Sequence, residues 1–264
     1  MRVDVGESVR LIRERRPLVH HIMNYVVMTD AANATLAIGA SPIMAHAVEE
    51  LEDLASVAGA IYINIGTLDT RWVESMITLA KLAGKYDKPL LLDPVGAGAT
   101  RLRTQVSFKI LETGAVRVVK GNAGEMLSLA GLRGTVKGVD SEVAEAHEPL
   151  AKFSAEYDVV AVSTGKTDYV AYKDSLASIS GGSELFRFTT GSGCMMGSVV
   201  ASFMAVQERF RASIEASAAF KFAGEIAEAR AGRNPASFRA ELLNALYNLP
   251  RYDLRVLEER IRFL

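Results

Sequence analysis

The chain has 264 residues, 49% of them hydrophobic and 23% charged, and its formal net charge is −1. That length can bury a large core, and so balanced a charge gives no field to hold nucleic acid or an anionic membrane. A single cysteine, Cys194, excludes an intrachain disulfide.

No apolar run near the N-terminus fits a signal-peptide core. The weakly polar stretch 193–206 contains Ser198 and Ser202 and falls short of the about 20 apolar residues of a membrane helix, so a soluble, cytoplasmic protein is expected. No internal repeat, low-complexity tract or Pro/Ser-rich linker divides residues 1–264, and one domain is expected.

In chain order, Arg13-Glu14-Arg15-Arg16 mixes signs and reads as a solvated helix face. His20 and His21 invite a metal reading. Adjacent residues of an extended segment point to opposite faces, so the two cannot chelate one ion, and a structural or substrate-adjacent role is expected.

Ala60-Ile61-Tyr62-Ile63-Asn64-Ile65 reads as a strand stopped at Gly66, and a helix follows with Val73, Met76, Ile77 and Ala80 on one face. Pro89-Leu90-Leu91-Leu92 runs to Asp93-Pro94, Val116-Arg117-Val118-Val119 to Lys120-Gly121-Asn122, and Val159-Val160-Ala161-Val162 to Ser163-Thr164-Gly165. Runs apolar on both faces belong to strands covered by helices on both sides, so the expected fold class is α/β with a mostly parallel sheet. Residues 169–172 and 175–179, joined by Lys173-Asp174, predict an appended antiparallel hairpin. Beyond Gly193 the pattern is helical, with Ile214, Ala218, Phe222 and Ile226 at i+4 steps and a further helix over 237–248.

Each predicted strand ends in a polar, glycine-containing turn. In open parallel sheets the ligand lies across the carboxyl ends of the strands, so the turns at Asn64-Ile65-Gly66-Thr67, Asp93-Pro94-Val95-Gly96, Lys120-Gly121-Asn122 and Thr164-Gly165 are expected to line one crevice. Glycine after a strand is also common wherever a chain turns into a helix.

Two resemblances to phosphate-binding motifs fail. Gly165-Lys166-Thr167 looks like the end of a P-loop, but the glycine required five residues before the Gly-Lys pair is Val160. Gly191-Ser192-Gly193-Cys194-Met195-Met196-Gly197 has its third glycine one residue late for a dinucleotide fingerprint and comes too late in the chain.

The segment Thr189-Thr190-Gly191-Ser192-Gly193-Cys194 is the strongest signal. It precedes a helix predicted over 195–207, and amides at a helix N-terminus form an anion site suited to a phosphoryl group in transfer. A tight turn of small residues for close packing is the alternative.

Asp93, at a strand end, and Glu125, three residues past Asn122, are the candidate magnesium carboxylates. Glu125 also fits as the capping-box partner of Asn122.

In order along the chain, several blocks resemble the hydroxyethylthiazole kinase family of ribokinase-like proteins. They are Asn24-Tyr25-Val26-Val27, Gly39-Ala40-Ser41-Pro42-Ile43-Met44-Ala45, Asn64-Ile65-Gly66-Thr67-Leu68 and Asp93-Pro94-Val95-Gly96-Ala97-Gly98-Ala99-Thr100. Gly121-Asn122 with Glu125, Thr164-Gly165 with Asp168-Tyr169, and Thr190-Gly191-Ser192-Gly193-Cys194 complete the set. Related sugar and pyrimidine kinases carry aspartate where Cys194 stands.

The resemblance implies transfer of the γ-phosphoryl group of ATP, with magnesium, to the alcohol of hydroxyethylthiazole, in thiamine biosynthesis or salvage. By motif position Met44 and Gly191 would contact the thiazole, and Lys120 and Thr164 the ATP. Asn24 and Asp93 would lie near substrate and metal, and Glu125 near the metal. A homotrimer with active sites between subunits is implied as well.

On this reading Lys120 and the Gly191–Gly193 amides supply charge stabilisation. Cys194, its thiol made more acidic by the helix dipole, is expected to accept the alcohol proton. Met44 suits a sulfur-containing ring. Lys120 replaces the family's usual arginine, so a bidentate fork becomes a point charge. The family's Gly-Pro-Gly-Ser-Phe is here Arg233-Asn234-Pro235-Ala236-Ser237-Phe238. A kinase acting on hydroxymethylpyrimidine and a non-catalytic thiazole- or nucleotide-binding regulator are the alternatives.

Overall fold

The computed structural model describes residues 3–131 and 142–264. Helix α1 (Val5–Arg15) leads into β1 (Leu18–Ile22), α2 (Met28–Ile38), β2 (Ser41–Met44), α3 (Leu51–Val57) and β3 (Ala60–Asn64). Then come α4 (Thr70–Lys85), β4 (Leu90–Asp93), α5 (Arg101–Leu111), β5 (Val116–Asn122), α6 (Ala123–Leu129), α7 (Glu142–Tyr157) and β6 (Val160–Thr164). The hairpin β7 (Asp168–Tyr172) and β8 (Ser175–Ile179) precedes α8 (Ser192–Met204), α9 (Arg209–Ala231), α10 (Pro235–Asn248) and the C-terminal β9 (Ile261–Phe263).

These strands form one nine-stranded sheet in the order β2-β1-β3-β4-β5-β6-β7-β8-β9. From β2 to β6 every neighbour is parallel, and β7, β8 and β9 add antiparallel strands. The mostly parallel sheet and the hairpin predicted around Lys173-Asp174 are both present. Lys173 takes φ 52°, the left-handed conformation that a two-residue hairpin turn requires.

The alternation of side chains explains why the central strands read as unbroken apolar runs. Ile61 and Ile63 enter the core beneath α3, α4 and α5, whereas Tyr62 between them enters the opposite core beneath α2 and α8. Leu91 and Val118 likewise oppose Leu90, Leu92 and Val119. Both faces are covered, so neither face selects polar residues.

Helix α9 differs from its predicted one-sided pattern. It is buried nearly all round by small residues such as Ala212, Ala216 and Ala219, while Phe222 and Ile226 are only partly buried. Small side chains let α9 pack closely against both α8 and α10. The divergent segment at 233–238 opens α10, with Pro235 in the first turn and Phe238 fully buried. Among the described residues no helix is long and apolar enough to cross a membrane.

Candidate active site

Parallel register brings the strand ends together. Asn64 at the end of β3 pairs with Asp93 at the end of β4, and Asn122 at the end of β5 pairs with Thr164 at the end of β6. The four predicted turns therefore lie side by side at the ends of adjacent strands.

At its centre is an ion pair. Lys120 Nζ donates to Asp93 Oδ2 at 2.9 Å and to the Gly193 carbonyl at 2.9 Å, and the two side chains are 3% and 1% exposed. Asp93 Oδ2 also accepts from Tyr62 Oη at 2.8 Å and Asn64 Nδ2 at 3.0 Å. Its other oxygen, Oδ1, is buried with no hydrogen-bond partner among the described residues. A buried carboxylate oxygen without a donor is costly unless something else satisfies it.

Burial is the largest single influence and disfavours the Lys120 ammonium, but the charge of Asp93, its hydrogen bond and the neighbouring Cys194 and Glu125 together outweigh it and raise the lysine above its ordinary range. Lys120 thus reaches into the site rather than outward to solvent, and one of its three N–H donors has no acceptor among the described residues.

Helix α8 starts over this pair. Gly191 takes φ 83°, and a Cβ there would come within 2.3 Å of Val27 Cγ1, so both backbone conformation and the approach of the 24–27 loop require glycine. The Ser192 amide is used by the Thr189 carbonyl at 3.2 Å. The amides of Gly193 and Cys194 have no acceptor among the described residues. Gly197, one turn on, lets α8 close onto the sheet, since a Cβ there would meet Tyr62 Oη at 2.3 Å.

Cys194 Sγ lies 3.2 Å from Asn64 Nδ2 and 3.6 Å from Asn24 Nδ2. Its thiol does not follow the expected direction. Burial, and next the charge of Asp93, push it up to about 11, against Lys120 and the two amides, which lower it. Loss of hydration and the nearby carboxylate prevail, so at neutral pH Cys194 is held as a thiol.

Glu125 makes the capping box foreseen as its alternative. Its backbone N–H donates to Asn122 Oδ1 at 3.0 Å, and its Oε2 accepts the Asn122 amide at 2.8 Å. Oε1 accepts the Gly96 amide at 2.8 Å, so the same carboxylate fixes the turn after β4. Desolvation, and then the charge of Asp93, raise its pKa. Among the described residues no group of three or more His, Cys, Asp or Glu is arranged to hold a metal.

The other expected residues are distributed around this centre. Asn24 is buried, donating from Nδ2 to Asn64 Oδ1 at 2.8 Å and accepting the Val26 amide at 3.1 Å. Met44 ends β2 beside His21 and packs on the core around α2 and α8. Thr164 Oγ1 donates to the Gly121 carbonyl at 3.2 Å, across from Lys120 by one residue.

His20 and His21 turn to opposite faces. His21 Nδ1 pairs with the Val19 carbonyl at 2.9 Å, and burial pushes its pKa down to about 3.

Four functional side chains carried no assigned role in the sequence reading. Tyr62 and Asn64 hold Asp93, as above. Arg103 of α5 donates to the carbonyls of Val95 and Gly66, each at 2.7 Å, tying two site turns together. Lys221 of α9 holds the turn after β6.

A nine-stranded, mostly parallel sheet with this crevice is ribokinase-like. A ribokinase-like superfamily protein from Enterococcus faecalis superposes with a TM-score of 0.64 over 90% of this chain and 88% of its own, at 14% identity, which speaks for the fold alone. The hydroxyethylthiazole kinase family model matches residues 9–252. The hydroxyethylthiazole kinase of Caldivirga maquilingensis is 56% identical over 92% of this chain and 91% of its own. The structure of a hydroxyethylthiazole kinase protein from Pyrococcus horikoshii superposes with a TM-score of 0.90 at 40% identity, over 98% of each chain. The chain belongs to the hydroxyethylthiazole kinase family.

Proposed function

We propose that this protein phosphorylates the hydroxyl of hydroxyethylthiazole with ATP, at the crevice centred on Asp93 and Lys120. The observation that carries the reading is the buried Asp93–Lys120 pair, with Asp93 Oδ1 unpartnered, beneath the uncommitted first-turn amides of α8.

Phosphoryl transfer through a loose transition state needs alignment and charge stabilisation more than covalent help. The Gly193 and Cys194 amides and the remaining Lys120 donor supply positive potential for the transferred group. Thr164 and the turn behind it face the nucleotide. Met44, Gly191 and Asn24 bound the thiazole side, where a polarisable thioether suits a sulfur heterocycle. The alcohol proton leaves once the new O–P bond is well advanced, passing to a phosphate oxygen or to water, so no strong protein base is required. Cys194 therefore serves mainly as a small, neutral group that admits the alcohol.

Asp93, through Oδ1, and Glu125 fit a magnesium ion whose remaining ligands are water and phosphates. Two carboxylates are a usual protein share for this metal. When bound, it would neutralise phosphate charge. The exposed Tyr25, Val26 and Phe188 lie on segments that border the site, a face suited to a neighbouring subunit of a homotrimer.

A coupled ADP-release assay tests the reading. Hydroxyethylthiazole should be turned over far faster than hydroxymethylpyrimidine or pyridoxal, and equal or reversed preference would overturn the substrate assignment.

A further inference from the structure

The turn between β6 and β7 is held from behind by a cation that no other part of the site uses. Lys221 lies in the middle of α9 and is 4% exposed. Its Nζ donates to the Gly165 carbonyl at 3.0 Å, the Lys166 carbonyl at 3.1 Å and the Gly181 carbonyl at 3.1 Å. It also lies 3.2 Å from Asp168 Oδ1, which in turn accepts the Gly165 amide at 3.0 Å.

A buried ammonium with all its donors committed fixes the direction of the peptides it holds. In a trans peptide the carbonyl and the following N–H point oppositely. With the carbonyls of Gly165 and Lys166 drawn inward to Lys221, the amides of Lys166 and Thr167 face away from it. Neither amide has an acceptor among the described residues, and the turn is open to solvent. Successive outward N–H groups make an anion-binding concavity.

The turn directly follows Thr164 at the nucleotide end of the crevice. Asp168 balances the charge of Lys221, so what this lysine supplies to a ligand is geometry. Gly181 belongs to the turn after β8, so one side chain registers two turns against α9.

We infer that Lys221 is a positioning residue for the nucleotide. It sets the 165–167 turn so that the Lys166 and Thr167 amides donate to a phosphate of ATP or ADP. This inference rests on the nucleotide reading given under Proposed function.

The test has two arms, each preceded by calorimetry of ADP on the unaltered protein. In the first, the protein selectively labelled with 15N-lysine and 15N-threonine is titrated with ADP, and the Lys166 and Thr167 amide signals should move. ADP binding without movement of either would overturn the inference. No ADP binding at all would overturn the nucleotide reading and the inference together.

In the second arm, the charge-neutral pair Lys221→Met with Asp168→Asn removes the clamp without stranding a buried charge. Losing two charge-assisted bonds should raise the KM for ATP by about tenfold or more. The KM for the thiazole and kcat at saturating ATP should change little. A merely structural lysine would move all three together or none. An unchanged KM for ATP in a folded variant would overturn the inference, and if that variant does not fold, the labelled titration decides alone.

Discussion

Cys194 shows how a residue identity can be legible while its ionisation is not. A helix just after the glycines is readable, although the sequence starts it at 195 and the structure at Ser192, and a dipole argument makes the thiol more acidic. In the fold Asn24, Asn64, Tyr62 and Asp93 close around it, and desolvation with a nearby carboxylate wins, leaving the thiol at about 11.

Alkylation by iodoacetamide should therefore be slow at pH 8 and accelerate only toward pH 11. A midpoint at or below 8 would contradict the burial account. Cys194→Ala should lower kcat by no more than the low end of general-base effects, about 100-fold, with the KM for ATP nearly unchanged. Cys194→Asp should retain substantial activity, because related sugar and pyrimidine kinases carry aspartate at that position. An inactive Asp variant beside a near-normal Ala variant would show that no base is needed at that position.

Glu125 is a second residue with two readable roles. The capping box is visible as Asn122 and Glu125 three apart, but its contact with the Gly96 amide joins segments 29 residues apart and is invisible locally. Glu125→Gln keeps the volume and an acceptor while removing charge, so it should raise the magnesium concentration needed for half-maximal rate several-fold. If the residue is a cap only, the magnesium titration should be unchanged, with a stability loss of at most about 1 kcal/mol.

At the level of elements, the central strands were legible because both faces are buried and their runs end in polar turns. Strands β2 and β9 were not. β2 carries Pro42 and is half-buried throughout, and β9 ends the chain as an edge strand with Arg262 and Phe263 exposed. Both are defined by pairing with distant partners, which composition does not reveal.

Helix α9 hides its most informative residue in the same way. Lys221 falls seven residues after Ile214 on the apolar stripe, and a lysine in that register was the available signal.

Strand β1 gives a prediction of its own. His21 is buried neutral, with its folded pKa depressed to about 3 from an ordinary 6.5. Its contribution to stability is present above pH 6.5 and is lost as the pH falls toward 3, because the unfolded chain takes up the proton first. Between pH 6.5 and 5 the loss is roughly 2 kcal/mol. Urea unfolding at several pH values should show this slope in the parent and a flatter one in His21→Leu. Equal slopes would show that His21 is not the titrating group.

For the whole molecule, the class of fold and the location of the crevice followed from the order of strands and turns. The assembly is a matter of surface, where Tyr25, Val26 and Phe188 are 60%, 65% and 69% exposed. Static light scattering should give three times the chain mass at assay concentration. An active monomer would contradict the trimer.

The account as a whole rests on Asp93 as the carboxylate around which metal, lysine and phosphoryl group converge. The most direct measurement follows the product by 31P nuclear magnetic resonance, with Mg-ATP and hydroxyethylthiazole, for the parent and for Asp93→Asn shown by circular dichroism to be folded. The parent should accumulate a phosphomonoester of the thiazole alcohol with ADP in equal amount, and Asp93→Asn should slow this by about 100-fold or more, the scale of losing a key electrostatic group. A folded Asp93→Asn protein that forms the same phosphomonoester at the parent's rate would contradict the account.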